Sequence, residues 1–214
     1  MKNHQVLKNP LCLARIFLVI FFTVGVLGFS FQATHDLFQR LVPVNLLVST
    51  ILLFLFHQKW EFRQILIFTG IALTGFMVEM IGIHTGLLFG SYSYGNALGL
   101  KLFSTPLLIG VNWLLLVYCI YAAFHGINRE WYFPFFGATM LVIYDFVMEP
   151  VAIVTDMWSW QGGEIPLKNY ITWYVVAAAL LFTLQLFRVR YSNRLAGWLL
   201  AIQFLFFLIL RFIL

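Results

Sequence analysis

The length of its apolar runs constrains this chain most. Seven stretches nearly free of charge, at 11–31, 40–56, 64–83, 103–124, 131–153, 170–187 and 195–213, follow one another with short connections. Each approaches the ~20 residues that carry a helix across a bilayer core. In hydrocarbon every backbone polar group needs an internal partner, so such runs become helices. The expected fold is all-α: a polytopic transmembrane helix bundle of about seven spans. A glycine- and aromatic-rich loop, or a re-entrant segment, follows the third span. With 62% hydrophobic and 10% charged residues, against about a quarter charged in soluble domains, residues 1–214 read as a single integral membrane domain. The first run follows Lys2 and Lys8 and exceeds the ~7–15 residues of a signal-peptide core, so it reads as a membrane helix.

The net charge of +5 points to the membrane and not to nucleic acid, because the cations cluster in loops between apolar runs. One set of span ends carries Lys2, Lys8, Lys59, Arg63, Arg129, Arg188, Arg190 and Arg194; the other carries Arg40, Lys101, Lys168 and Arg211. The imbalance places the N-terminus in the cytoplasm and the C-terminus outside. The two longest loops, 84–102 and 154–169, then lie together on the outer side. Cys12 and Cys119 both fall in apolar runs and read as small buried side chains.

Three acids break the apolar runs: Glu79, Asp145 and Glu149. Carboxylates are costly in lipid and mark functional sites by default. On this topology all three lie at similar depth beneath the two outer loops. Asp145 and Glu149 are four residues apart and share a helix face. Two close carboxylates in a low dielectric resist ionising together, so at least one is expected to be a neutral acid. Pro150 should kink or end that helix and free the carbonyl of Phe146. The plainer reading of these acids is interhelical hydrogen bonding. Glu79 opens a stretch with glycines at 82, 86, 90, 95 and 99, interleaved with Phe89, Tyr92 and Tyr94. Irregular backbone at membrane depth needs protein or a cavity around it, so a pocket is expected there.

A weak internal echo links the two halves. Each has an acid, an aromatic and glycine loop, a proline and then a tryptophan: Pro106 to Trp113 and Pro166 to Trp173 have the same spacing. A parallel repeat would put a site at the interface of its halves. Trp158 and Trp160 suit an interfacial belt and could also steady a cation against a ring face. Asp156, Glu164 and Lys168 read as solvated. His4, His35, His57 and His125 lie near span ends and also read as solvated. His84, at the head of the glycine loop, reads as a satisfied hydrogen-bonding residue. No phosphate-cradling loop, zincin motif, C-x-x-C or histidine cluster is present. Acid–base chemistry on a lipid, with no cofactor and no metal, is what these residues support.

The run Glu79-x-x-Gly82-x-x-Thr85-Gly86-x-x-Phe89-Gly90-x-Tyr92-x-Tyr94, followed by Leu98-Gly99, Pro106 and Trp113, resembles the CruF-type carotenoid hydratases, relatives of bisanhydrobacterioruberin hydratase. Asp145, Glu149-Pro150, Ala152, Trp158, Trp160, Gly162, Ile165-Pro166-Leu167 and Asn169 match that family's downstream pattern in order. The chain departs from the pattern at Glu149, where Asp is usual, at Ser104-Thr105, where Gly-Val is usual, and at Thr172, where glycine is frequent. The resemblance implies a membrane enzyme, in a bacterial inner membrane, that adds water across a terminal double bond of an acyclic carotenoid. For that reaction the three buried acids are the expected catalytic residues, with Asp145 or Glu79 as the proton donor and Glu149 assisting the water. The resemblance implies His84, Thr85, Phe89, Tyr92, Tyr94, Trp113, Trp158, Trp160 and Asn169 as substrate-binding residues. A lipid-soluble polyene is the expected partner, with other carotenoid-pathway enzymes as candidates. An end-group cyclase begins with the same protonation and is the close alternative. A proton-coupled transporter or a non-catalytic scaffold would use the acids differently.

Overall fold

The computed structural model describes residues 9–214; Lys2, His4 and Lys8 lie outside them. The elements run α1 (Pro10–Ser30), α2 (Gln32–Arg40), α3 (Val42–Leu55), α4 (Phe62–Thr85), β1 (Tyr92–Tyr94), β2 (Lys101–Leu102), β3 (Thr105–Pro106), α5 (Leu107–Ala123), α6 (Phe133–Val154), β4 (Trp158–Trp160), α7 (Leu167–Leu186) and α8 (Ala196–Ile213). Every expected span contains a helix, displaced by a few residues at its ends. Among the described residues five helices, α1, α4, α6, α7 and α8, are long and apolar enough to cross a bilayer alone. The bent pair α2–α3, turning through 55°, would make a sixth. Helix α5, with 17 residues, is shorter, and at ~1.5 Å per residue it falls short of a ~30 Å hydrocarbon core.

That short helix is the centre of the bundle. Twelve of its residues are buried, Trp113 and the run from Leu115 to Cys119 completely. A helix apolar on all sides belongs inside a protein, and α5 packs against α3, α4, α6, α7 and α8. The remaining helices expose leucine, isoleucine and phenylalanine outward, as lipid-facing surfaces require. The closest pairings are α6 with α7 and α4 with α5. Small residues permit the second: a Cβ at Gly75 would lie 2.6 Å from the Cβ of Trp113, and one at Gly110 would collide with the carbonyl oxygen of Ala72.

Helix ends follow local chemistry. Asn9 accepts a hydrogen bond from the Leu11 amide at 3.0 Å, and Pro10 opens α1. Glu61 and Gln64 form a reciprocal capping box at α4. Gly86 ends α4 with φ +62°, a conformation that favours glycine. Pro106 and Pro166 precede α5 and α7 in nearly the same extended conformation, with φ −62° and −68°.

The loops 84–102 and 154–169 form one small roof. Strands β1 and β4 pair antiparallel, with Tyr92 opposite Trp160, Ser93 opposite Ser159 and Tyr94 opposite Trp158. Strands β2 and β3 make a separate hairpin. Helix α6 does not end at Pro150 but continues to Val154. The carbonyl of Phe146, which the proline cannot serve, accepts instead from the Arg211 guanidinium of α8 at 2.8 Å. Arg211 also lies over the Phe146 ring, 4.6 Å from its centroid.

Candidate active site

The α4–β1–α5 and α6–β4–α7 units bring their acids together under the roof. Glu79, 4% exposed on α4, accepts three hydrogen bonds. Its Oε2 receives the hydroxyls of Tyr92 at 2.6 Å and Tyr94 at 2.7 Å, and its Oε1 receives the Trp113 indole N–H at 3.0 Å. Glu149, 1% exposed on α6, has a matching set. Its Oε2 receives the indole N–H groups of Trp158 at 2.9 Å and Trp160 at 3.0 Å, and its Oε1 receives the Asn169 amide at 3.0 Å. Each acid is thus held by two aromatic side chains of its following strand and one side chain of the helix beyond.

The correspondence extends to the packing. Trp113 and Trp173, each seven residues past its helix-opening proline, stack at 4.2 Å. Tyr92 lies against Trp160 at 5.1 Å, and Tyr94 meets Trp158 edge-on at 6.1 Å. The echo in the sequence therefore corresponds to two similar units facing each other across the β1–β4 pair. They differ at one level. Where the second unit has Asp145 and Asn169, the equivalent spacing in the first gives Gly75 and Ile109. Asn169 Nδ2 bridges Asp145 Oδ2 at 2.9 Å and Glu149 Oε1 at 3.0 Å. The other oxygen of Asp145, Oδ1, is buried with no hydrogen-bond partner among the described residues.

Glu79 and Glu149 both face a cavity of about 20 Å³, walled by Phe89, Tyr92, Tyr94, Ile109, Trp158, Trp160, Asn169 and Trp173. By the ~10–15 Å³ that one water needs, it has room for a single water molecule. Asp145 does not line it and reaches it only through Asn169. Burial, the largest cause, pushes the Tyr92 and Tyr94 phenols above their usual range, so both retain their protons at neutral pH. Among the described residues no group of three His, Cys, Asp or Glu side chains is disposed to hold a metal ion.

Ten of the twelve residues singled out from the sequence meet here: Glu79, Asp145, Glu149, Phe89, Tyr92, Tyr94, Trp113, Trp158, Trp160 and Asn169. His84 and Thr85 do not. Both are exposed, and they bond back to the Met80 carbonyl at 2.8 Å and the Ile81 carbonyl at 2.7 Å. They line a second, polar cleft of about 520 Å³ on the exposed face of the roof, with Ser91, Ser93, Ser159 and Gln161. Tyr92 and Trp160 border both spaces. Gly82 sits against Phe89 and Gly90 against Pro166, while Gly86 borders the polar cleft. Ile109 and Trp173 join the site without having been singled out for it. The equal proline-to-tryptophan spacing was the signal for Trp173, while Ile109 had none. Asp156, though exposed, accepts the Asn96 amide at 2.9 Å and so ties the two roof loops together.

A family model described as carotenoid biosynthesis protein matches residues 41–214, which contain every side chain of this cluster. The chain belongs to that family. It is an integral membrane protein with a part in carotenoid biosynthesis. No curated protein and no solved structure matches it. The family match begins at the first residue before α3, so α1 and α2 lie outside it while the whole roof and all three acids lie within.

Proposed function

We propose that the protein is a carotenoid hydratase of the CruF type, which adds water to a terminal carbon–carbon double bond of an acyclic carotenoid. The observation that carries this reading is the water-sized cavity with Glu79 on one side and Glu149 on the other. The two acids differ in their partners. Tyrosine hydroxyls can donate or accept, so Glu79 keeps its hydrogen bonds whether or not it holds a proton. Indole and amide N–H groups only donate, so the partners of Glu149 suit a carboxylate in the resting site and favour release of any proton it takes up.

Glu79 is accordingly the proton donor. Its proton adds to the less substituted carbon of the alkene, and a tertiary cation forms on the other. The ring faces of Tyr92, Trp158, Trp160 and Trp173 surround that charge. A water oxygen bonds to the cation as Glu149 takes one of the water's protons. Return of that proton to Glu79 restores both acids, and the balance is one alkene and one water to one tertiary alcohol. Asp145 acts through Asn169 as a positioning residue. The polar outer cleft supplies water past Tyr92 and Trp160. The polyene end enters from the lipid side as the aromatic walls part. On this reading the protein sits in a bacterial inner membrane with its N-terminus in the cytoplasm, which puts the roof on the outer side.

Expression in a host that accumulates an acyclic polyene tests the proposal. A product heavier by one water per modified end supports it. A product of unchanged mass with a cyclised end would favour the cyclase reading. Pigments unchanged with several acyclic substrates would reject both.

A further inference from the structure

The far ends of α5 and α7 carry a second concave site that the chemistry above does not use. It lies between the α5–α6 connection and the α7–α8 connection, and its volume is about 310 Å³. Its polar lining is Tyr121, Asn128, Arg129, Gln185, Arg188 and Arg190. The floor is held firmly. Gln185 donates to the carbonyls of Asn128 at 2.8 Å and Glu130 at 2.9 Å, joining the two connections. Tyr121 donates to the Val189 carbonyl at 3.0 Å, and Asn128 donates to the Tyr121 carbonyl at 3.3 Å.

The three arginines come from both connections and turn a built cavity strongly positive. Among the described residues none of their guanidinium groups has a carboxylate within 4.0 Å. The only acid on either connection is Glu130, and residues 1–8 contain none. Like charges brought around one hollow without a counter-ion repel one another, so the arrangement gains most from an anion placed between them. A guanidinium fork matches phosphate oxygens in pairs. Basic pockets between helix ends at a bilayer surface are suited to phosphate headgroups.

We propose that this cavity binds a phosphate group, of the kind presented by an anionic phospholipid headgroup or by free phosphate. Occupancy ties the α5–α6 and α7–α8 connections together and steadies the ends of the two helices that carry Trp113 and Trp173. The site is independent of the hydratase reading.

Thermal unfolding of the purified protein in neutral detergent tests it, with added phosphatidylglycerol, phosphatidylcholine or inorganic phosphate. Phosphatidylglycerol should raise the melting temperature more than phosphatidylcholine does. In R129Q/R190Q the half-saturating amount should rise roughly thirty-fold, as two cations near an anionic headgroup imply. K59Q/R194Q removes two cations at the same end of the bundle and should behave as the parent. R129K/R190K keeps the charge without the fork and should bind several-fold more weakly, which covers a glutamine variant that cannot be purified. A shift reproduced by inorganic phosphate, and lost in R129Q/R190Q, assigns the site to the phosphate group itself. A shift given only by the lipid assigns it to a headgroup. No shift with either, a shift unchanged in R129Q/R190Q, or an equal loss in K59Q/R194Q would overturn the proposal.

Discussion

Replacing Asn169 with alanine should destabilise the protein more than almost any other single polar substitution. Its Nδ2 serves two buried carboxyl groups at once, Asp145 Oδ2 at 2.9 Å and Glu149 Oε1 at 3.0 Å. A hydrogen bond to a charged group contributes about 1.5–3 kcal/mol and one to a neutral group about 0.5–1.5 kcal/mol. With one of the two acids ionised and the other neutral, losing both bonds costs roughly 2–4.5 kcal/mol. At ~2–4 °C per kcal/mol for a chain of this size, the melting temperature should fall by on the order of 10 °C. Thermal unfolding in detergent measures this, with Ser93→Ala as the comparison. Ser93 pairs with Ser159 on the exposed face of the roof at 3.2 Å and should change stability by under ~0.5 kcal/mol. Asp145→Ala should cost less in the Asn169→Ala background than alone, because the two side chains share a hydrogen bond. An Asn169→Ala protein within ~0.5 kcal/mol of the parent, with additive effects at 145, would refute this account of how the acids are held.

Other substitutions probe the parts that position the site. Arg211→Met strips the guanidinium donor from the Phe146 carbonyl and should cost about 1–3 kcal/mol; in a Pro150→Ala background the cost should shrink, since α6 can then supply its own N–H, and a thermal double-mutant cycle reads the difference. Gly75→Ala should be strongly destabilising and should change tryptophan fluorescence, because the new Cβ displaces Trp113 from both Glu79 and Trp173. Gly70→Ala, with nothing within 4 Å of the new atom, should be neutral or slightly stabilising. His57 hydrogen-bonds Tyr118 at 2.8 Å and Gln64 at 3.0 Å, and burial holds its imidazole below the ordinary 6.5. The unfolded chain therefore takes up that proton more readily, and stability should fall as pH drops through 6.5. The melting temperature of His57→Gln between pH 7.5 and 5.5 should lose that part of the slope.

The helices were legible because apolar length alone demands them in lipid, and Glu79, Asp145 and Glu149 stood out because those runs contain no other acid. Their donors were half legible. Tyr92, Tyr94, Trp158 and Trp160 were singled out from the sequence, yet their hydrogen bonds depend on two loops, more than sixty residues apart, pairing in one register. No local pattern specifies that pairing. His57 was misread as solvated, because its position near a span end suggests water. In the fold it is 8% exposed, capped by Trp60 at 4.0 Å and fixed between Tyr118 and Gln64. Of the two outcomes expected at Pro150, a kink or an end, the helix does not end: α6 continues, and the freed Phe146 carbonyl accepts from Arg211, 65 positions away. The count of spans was the least legible feature, since α5 is apolar enough for a membrane but short and enclosed by its neighbours. In each of these cases a distant contact overrode the local signal.

The most direct test of the catalytic claim is incorporation of isotope from labelled water by the purified enzyme acting on an acyclic polyene. In heavy-oxygen, deuterated water the account predicts one labelled oxygen and one carbon-bound deuterium per modified end, with Glu79→Gln and Glu149→Gln each reducing turnover by at least ~10²-fold. Deuterium without oxygen in a product of otherwise unchanged composition would mean that the cation is captured internally. Full label incorporation by Glu79→Gln or Glu149→Gln at the parent's rate would contradict the roles given to the two acids.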